Sequence, residues 1–84
     1  MNSFKYATEL PIKLDIDTVQ TFVNLTKDVP FDIDLRSEGR LQVIDAKSIM
    51  GIFSLDLSIP HILCTNAVGP EVDTYKKTIE KFLC

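Results

Sequence analysis

Residues 31–35 read FDIDL and alternate apolar with acidic side chains without interruption. Because successive side chains of a β-strand point to opposite faces, this pattern predicts a strand with one buried face. The sequence Ser37-Glu38-Gly39 is typical of a turn, and residues 41–44 supply an apolar partner strand. We therefore expect an antiparallel sheet whose core contains one face of this hairpin.

A helix is predicted directly before this hairpin. Apolar residues are spaced at helical intervals from Val19 onward, and Asp17 followed three residues later by Gln20 resembles a capping box. The helix should run over residues 18–27 and end before Pro30, because a residue preceding proline is driven out of the helical conformation.

The remaining elements follow from weaker patterns. Partial alternation over residues 4–9 predicts a first strand that Pro11 interrupts, and residues 59–66 predict a fourth strand. Residues 48–55 form a short helical segment. A final helix carries one apolar face made of Val72, Tyr75, Ile79, Phe82 and Leu83. The predicted order is β-α-β-β-α-β-α: an α+β fold with a four-stranded antiparallel sheet and three helices on one face.

Length and charge narrow the class of function. The 84 residues, 1–84, suffice for a single domain with one modest core, which favours an interaction protein over an enzyme with a deep active site. The net charge is −3, and the basic cluster Lys76, Lys77 and Lys81 is balanced by Glu80. We therefore expect no direct binding of nucleic acid.

The cysteine and hydropathy patterns point to a reducing compartment. Cys64 and Cys84 form neither a disulfide framework nor a paired metal-ligand spacing, so no metal or cofactor is expected. No apolar run reaches membrane-spanning length, and the first residues lack a signal-peptide core. These patterns predict a cytoplasmic protein without membrane insertion; they leave its oligomeric state open.

Residues 45–55, DAKSIMGIFSL, closely resemble the serine-bearing segment of HPr phosphocarrier proteins from Gram-positive bacteria. The predicted element order is also similar to the HPr fold, an open-faced β-sandwich, from about residue 4 to residue 83. The resemblance implies a protein related to the sugar phosphotransferase system.

The N-terminal loop departs from that family. HPr proteins carry Gly-x-His-Ala-Arg-Pro there, and the histidine accepts a phosphoryl group from enzyme I. This chain reads KLDIDT over residues 13–18, with Asp15 at the histidine position and Asp17 at the arginine position. Two carboxylates repel an incoming phosphate and supply no guanidinium to hold it, so we expect no phosphocarrier activity here.

Both aspartates have simpler interpretations. Asp17 as an ordinary helix N-cap accounts for its presence, and Asp15 fits a solvated loop carboxylate. Alternatively, Asp15 mimics the charge of a phosphohistidine. The chain looks like the catabolite-repression HPr paralogue, which also lacks the histidine and acts in regulation through its serine.

Ser48 is the serine that the resemblance singles out. Its position before Ile49-Met50 predicts an N-cap, and the resemblance implies phosphorylation by an HPr-type serine kinase. Lys47 would add a cation beside the phosphate.

The short helix contains more apolar residues than one buried face can hold. The resemblance implies that Ile49, Met50 and Phe53 form an exposed patch for partners such as the serine kinase and the catabolite control repressor, while Ile52 and Leu55 point inward. Burial of all of them under the following loop is the alternative.

His61 is the only histidine. We expect a solvent-facing strand residue with no metal-binding role, because no second ligand stands at a suitable spacing. Two alternative functions remain open: a phosphocarrier with a displaced acceptor, His61 or Asp15, and a divergent domain that binds an unrelated partner.

Overall fold

The computed structural model describes residues 6–37 and 42–84. It has an α+β fold with a four-stranded antiparallel sheet and three helices, as predicted. The elements in chain order are β1 (Thr8–Ile12), α1 (Val19–Thr26), β2 (Asp34–Ser37), β3 (Val43–Asp45), α2 (Ile49–Phe53), β4 (His61–Thr65) and α3 (Pro70–Thr78), followed by a 3-10 turn at Glu80–Phe82.

The sheet has the strand order β1-β4-β2-β3, and each neighbouring pair is antiparallel. The register aligns one apolar row across all four strands, made of Leu10, Leu63, Leu35 and Ile44. Because side chains in register share a face, this row defines the core side of the sheet.

The three helices close the core over that row. Their buried contributions include Val19, Phe22 and Val23 from α1, Ile52 from α2 and Tyr75 from α3. The predicted stripe on the closing helix is confirmed, but the helix itself ends at Thr78 and the 3-10 turn carries Phe82 into the core.

The opposite face of the sheet carries polar side chains. Glu9, Asp34 and Arg36 lie on it, and Arg36 Nη2 donates to Glu9 Oε1 at 3.1 Å. Cys64 shares this face and is buried, as expected for a small apolar side chain. The sheet therefore has one covered and one largely polar face, as the alternation in residues 31–35 predicts.

The predicted bounds of the first strand were wrong. β1 is Thr8–Ile12 and includes Pro11. A proline is tolerated because β1 is an edge strand: the Pro11 carbonyl points away from β4 and accepts from the Cys84 N–H at 3.0 Å. The missing N–H of Pro11 faces the same outer side, so no ladder bond to β4 is lost.

The hairpin is also displaced along the chain. The β2–β3 ladder pairs Asp34 with Asp45, so β2 begins three residues later than the alternation predicts. Ser37, predicted to lie in the turn, is the last residue of β2 and pairs with His61. Other predicted features lie outside the described residues: Glu38 and Gly39 of the turn, Leu41 of the partner strand, and the start of the first strand at Phe4 and Lys5.

Within the two described segments, every helix is too short or too polar to cross a lipid bilayer.

Candidate functional site

Ser48 caps the N-terminus of α2, as predicted. Its backbone is extended, its N–H donates to the Asp45 carbonyl at 3.0 Å, and its Oγ accepts from the Gly51 N–H at 3.1 Å. The hydroxyl thus satisfies one of the N–H groups that a helix leaves unpaired at its start. The side chain is half-buried.

Gly51 leaves room for this cap. A Cβ at Gly51 would lie 3.3 Å from Ser48 Oγ and 3.5 Å from Ser48 Cβ. A side chain at residue 51 would therefore press on Ser48, and the capping hydroxyl would have to shift by a few tenths of an ångström.

α2 exposes two of the three apolar residues predicted to contact partners. Met50 is 78% exposed and Phe53 is 46% exposed, whereas Ile52 is fully buried and Leu55 is buried. The inward orientation of the last two is as predicted. A large exposed methionine next to a half-exposed phenylalanine is a feature of interaction surfaces, and we call these two side chains the α2 patch.

Ile49 does not belong to this patch. It is half-buried and packs against the core. The prediction that Ile49 is substantially exposed was therefore wrong, because the first turn of a five-residue helix cannot turn every apolar residue away from the sheet.

Lys47 lies beside Ser48 in sequence, but its ammonium is engaged elsewhere. Nζ donates to the carbonyl of Val29 at 2.8 Å, and the Lys47 N–H donates to Asp45 Oδ1 at 2.8 Å. In this conformation the cation joins α2 to the segment after α1.

Asp15, and not Asp17, makes the side-chain hydrogen bond in the turn that leads into α1, whose N-cap residue is Thr18. Asp15 Oδ1 accepts from the Thr18 N–H at 3.1 Å, and Thr18 Oγ1 accepts from the Asp15 N–H at 3.1 Å. This reciprocal pair has the geometry of a capping box one turn before the helix. The interpretation of Asp17 as the N-cap was wrong, and that residue is exposed.

The same turn displays a residue that the sequence analysis did not single out. Ile16, between the two aspartates, is 73% exposed. The available signal was an apolar residue flanked by two charged ones in a loop. Lys13 ties this region to the chain after α2, because its Nζ donates to the Leu57 carbonyl at 2.8 Å.

His61 is buried, with 2% of its surface exposed, so the expectation of a solvent-facing histidine was wrong. Nε2 lies 2.8 Å from the Asp56 carbonyl oxygen and therefore donates to it, while Nδ1 lies 3.2 Å from Ser37 Oγ. The pairing of β1 with β4 does place His61 opposite Ile12, near the Asp15 turn. Both ring nitrogens nevertheless have protein partners, so neither is open to a phosphoryl donor.

In residues 6–37 and 42–84, no three His, Cys, Asp or Glu side chains are grouped so that they could bind a metal ion.

Comparisons with protein-family models, with curated proteins and with solved structures give no match for this chain.

Proposed function

We propose that this chain is an HPr-like regulatory protein that lacks the phosphoryl-carrying histidine and is controlled by phosphorylation of Ser48. Its partners would be an HPr-type serine kinase and a catabolite control repressor, which would contact Lys47, Ile49 and the α2 patch. We place it in the cytoplasm. The observation that carries the proposal is a capping serine two residues before an exposed methionine on a short helix.

The fold supports this proposal beyond the sequence resemblance. The HPr arrangement has its fourth strand paired antiparallel with the first, and β4 pairs with β1 in this way. The segment with the strongest resemblance begins at the end of β3 and forms α2 on the core side of the sheet.

Charge and desolvation would make Ser48 a switch. A phosphate adds about two negative charges at neutral pH and brings strong acceptor oxygens, one of which can take over the Gly51 N–H. A partner that covers Met50 with an apolar surface would then have to desolvate the phosphate. A partner that offers arginine would instead gain charge-assisted hydrogen bonds.

The first experiment is phosphorylation with ATP and an HPr-type serine kinase. We expect one acid-stable phosphate per chain, absent from Ser48→Ala and retained in Ser54→Ala. Ser54 is a matched control because it caps the other end of α2, where its Oγ donates to the Gly51 carbonyl at 2.6 Å. Labelling that persists in Ser48→Ala would contradict the assignment.

The second experiment distinguishes a regulator from a phosphocarrier. Incubation with enzyme I and phosphoenolpyruvate should leave no acid-labile phosphate on the chain. A label lost in His61→Ala or Asp15→Ala would favour the phosphocarrier alternative instead.

The third experiment tests the docking surface. Met50→Ser should weaken binding of the phosphorylated chain to the catabolite control repressor by about tenfold, which corresponds to about 1.4 kcal/mol. Val68→Ser is the matched control, because Val68 is similarly exposed at 72% but lies between β4 and α3. Equal binding by all forms would favour a divergent domain with an unrelated partner.

A further inference from the structure

Met50 presents a thioether to solvent on a surface that is otherwise apolar. Its side chain is 78% exposed at the second position of α2, and it is not one of the residues that pack against the core. A thioether sulfur carries its lone pairs at every pH, so it reacts with an oxidant without first losing a proton. Access to solvent is therefore the main condition for its oxidation, and Met50 meets that condition.

The cysteines differ from Met50 in access or in location. Cys64 is 1% exposed. Burial raises the pKa of its thiol, and Arg36 opposes this only in part, so the thiol stays in its less reactive protonated form. Cys84 is exposed but lies at the end of the chain, beyond the 3-10 turn. Among the described residues, the α2 patch thus holds one sulfur atom, and it is accessible.

The reaction of a thioether with a peroxide is self-contained. The sulfur lone pair attacks the outer oxygen of the peroxide, a sulfur–oxygen bond forms and the oxygen–oxygen bond breaks. A proton moves to the departing oxygen, which leaves as water or an alcohol. Sulfur is oxidised by two electrons and the peroxide is reduced by two. The product is a sulfoxide, which is polar and accepts hydrogen bonds.

We propose that Met50 is a reversible oxidation site, at which a peroxide converts the thioether to the sulfoxide and thereby weakens docking to the α2 patch. This inference rests on the proposed function of that patch. A partner that covers Met50 with an apolar surface would bury the sulfoxide oxygen without a donor, and this is unfavourable. The fold needs no adjustment, because the side chain lies outside the core. Methionine sulfoxide reductases supply the reverse step.

Oxidation and phosphorylation would act differently on this surface. Phosphate at Ser48 adds charge and so distinguishes between apolar and arginine-bearing partners. The sulfoxide adds polarity without charge at Met50, so it weakens every partner that covers this side chain, whatever the state of Ser48. The α2 patch would then respond to peroxide as a common off-switch.

The first test locates the modification. We expect hydrogen peroxide to add one oxygen to Met50 of the full chain carrying Cys84→Ser, at a rate comparable to that of N-acetylmethionine amide. Peptide mapping by mass spectrometry separates Met50 from Met1 and should show Cys64 unmodified. The melting temperature should not change, and a methionine sulfoxide reductase should remove the oxygen. Resistance of Met50 to peroxide, or a large fall in melting temperature on its oxidation, would overturn the proposal.

The second test measures docking of the same protein after phosphorylation of Ser48 and removal of the peroxide. Oxidation should weaken binding to the catabolite control repressor by about tenfold, and reduction should restore it. Met50→Leu is the matched control, because leucine keeps the apolar bulk and the helix propensity but takes up no oxygen. It should bind equally before and after peroxide.

The outcomes separate the two proposals. Unchanged binding after oxidation of Met50, or an equal loss in peroxide-treated Met50→Leu, would reject the oxidation switch and leave the docking surface in place. Absence of binding by the untreated phosphorylated chain would instead contradict the proposed function, and the regulatory role of Met50 with it.

Discussion

Ser48 combines a structural and a proposed regulatory role in one hydroxyl group. Because Oγ accepts the Gly51 N–H, Ser48→Ala should lower the free energy of unfolding by about 1 kcal/mol. Ser48→Asp should retain most of the stability, since aspartate is an equally good N-cap. Urea denaturation of the three proteins measures the differences. Equal stability of Ser48→Ala and the parent chain would show that the cap contributes little.

The two aspartates of the N-terminal loop should differ in their effect on stability. Asp15→Ala removes the acceptor of the Thr18 N–H and should cost about 1 kcal/mol. Asp17→Ala removes an exposed side chain that is not the cap and should change stability by less than about 0.5 kcal/mol. Urea denaturation measures both changes in the free energy of unfolding. A larger loss of stability in Asp17→Ala than in Asp15→Ala would identify Asp17 as the capping residue.

At the scale of elements, one buried hydrogen bond links α1 to α3. Thr26 and Tyr75 are both buried, and their hydroxyl oxygens are 2.8 Å apart. Tyr75→Phe leaves the Thr26 hydroxyl without this partner and should cost about 1–2 kcal/mol at neutral pH. A double-mutant cycle with Thr26→Val isolates the pair, and a coupling energy near zero would mean that the two helices are held by apolar packing alone.

The same tyrosine predicts a response to alkali. Burial raises the pKa of Tyr75 from 10.0 to about 12. Between these pH values the unfolded chain loses a phenolic proton that the folded chain retains, so this residue makes stability fall as the pH rises from about 10 to about 12. Melting temperatures measured across this range should fall less steeply for Tyr75→Phe. Parallel curves would show that Tyr75 is not protected in the fold.

For the whole molecule, the C-terminal residues close both the core and the sheet edge. The ring of Phe82 is buried and meets Phe22 edge to face, with centroids 5.6 Å apart. The Phe82 carbonyl also accepts from the Lys13 N–H at 2.9 Å, and Leu83 bridges to Ile12 on β1. The outer edge of β1 is thus covered by the chain itself, which protects it from pairing with another molecule.

Phe82→Ala should therefore weaken the entire fold. Loss of a buried phenylalanine costs about 3–5 kcal/mol, and a domain of this size loses about 4–8 °C of melting temperature per kcal/mol. We expect the melting temperature to fall by roughly 15 °C or more. Circular dichroism measures the transition, with Glu80→Ala as a control because Glu80 is exposed in the same 3-10 turn. A small change in melting temperature would mean that the C-terminal segment only lies on the surface.

The sequence alone determined the features that depend on neighbouring residues. Helical spacing predicted α1 within one residue at each end, and the position of Ser48 before an apolar run predicted its cap. Alternation over residues 31–35 correctly predicted that Ile33 and Leu35 face the core and that the strand pairs antiparallel with the next one, although β2 itself begins only at Asp34. These features form because the period of apolar residues and the local demand for N–H acceptors are properties of a short stretch of chain.

Only the tertiary structure decided the features that depend on distant partners. Pro11 continues a strand because β1 lies at the sheet edge, and His61 is buried because Ser37 and the Asp56 carbonyl satisfy its two nitrogens. Ile49 packs inward because α2 lies against the core. In each case, burial of a polar or apolar group becomes favourable through contacts with residues far along the chain or in neighbouring elements, which no local pattern encodes.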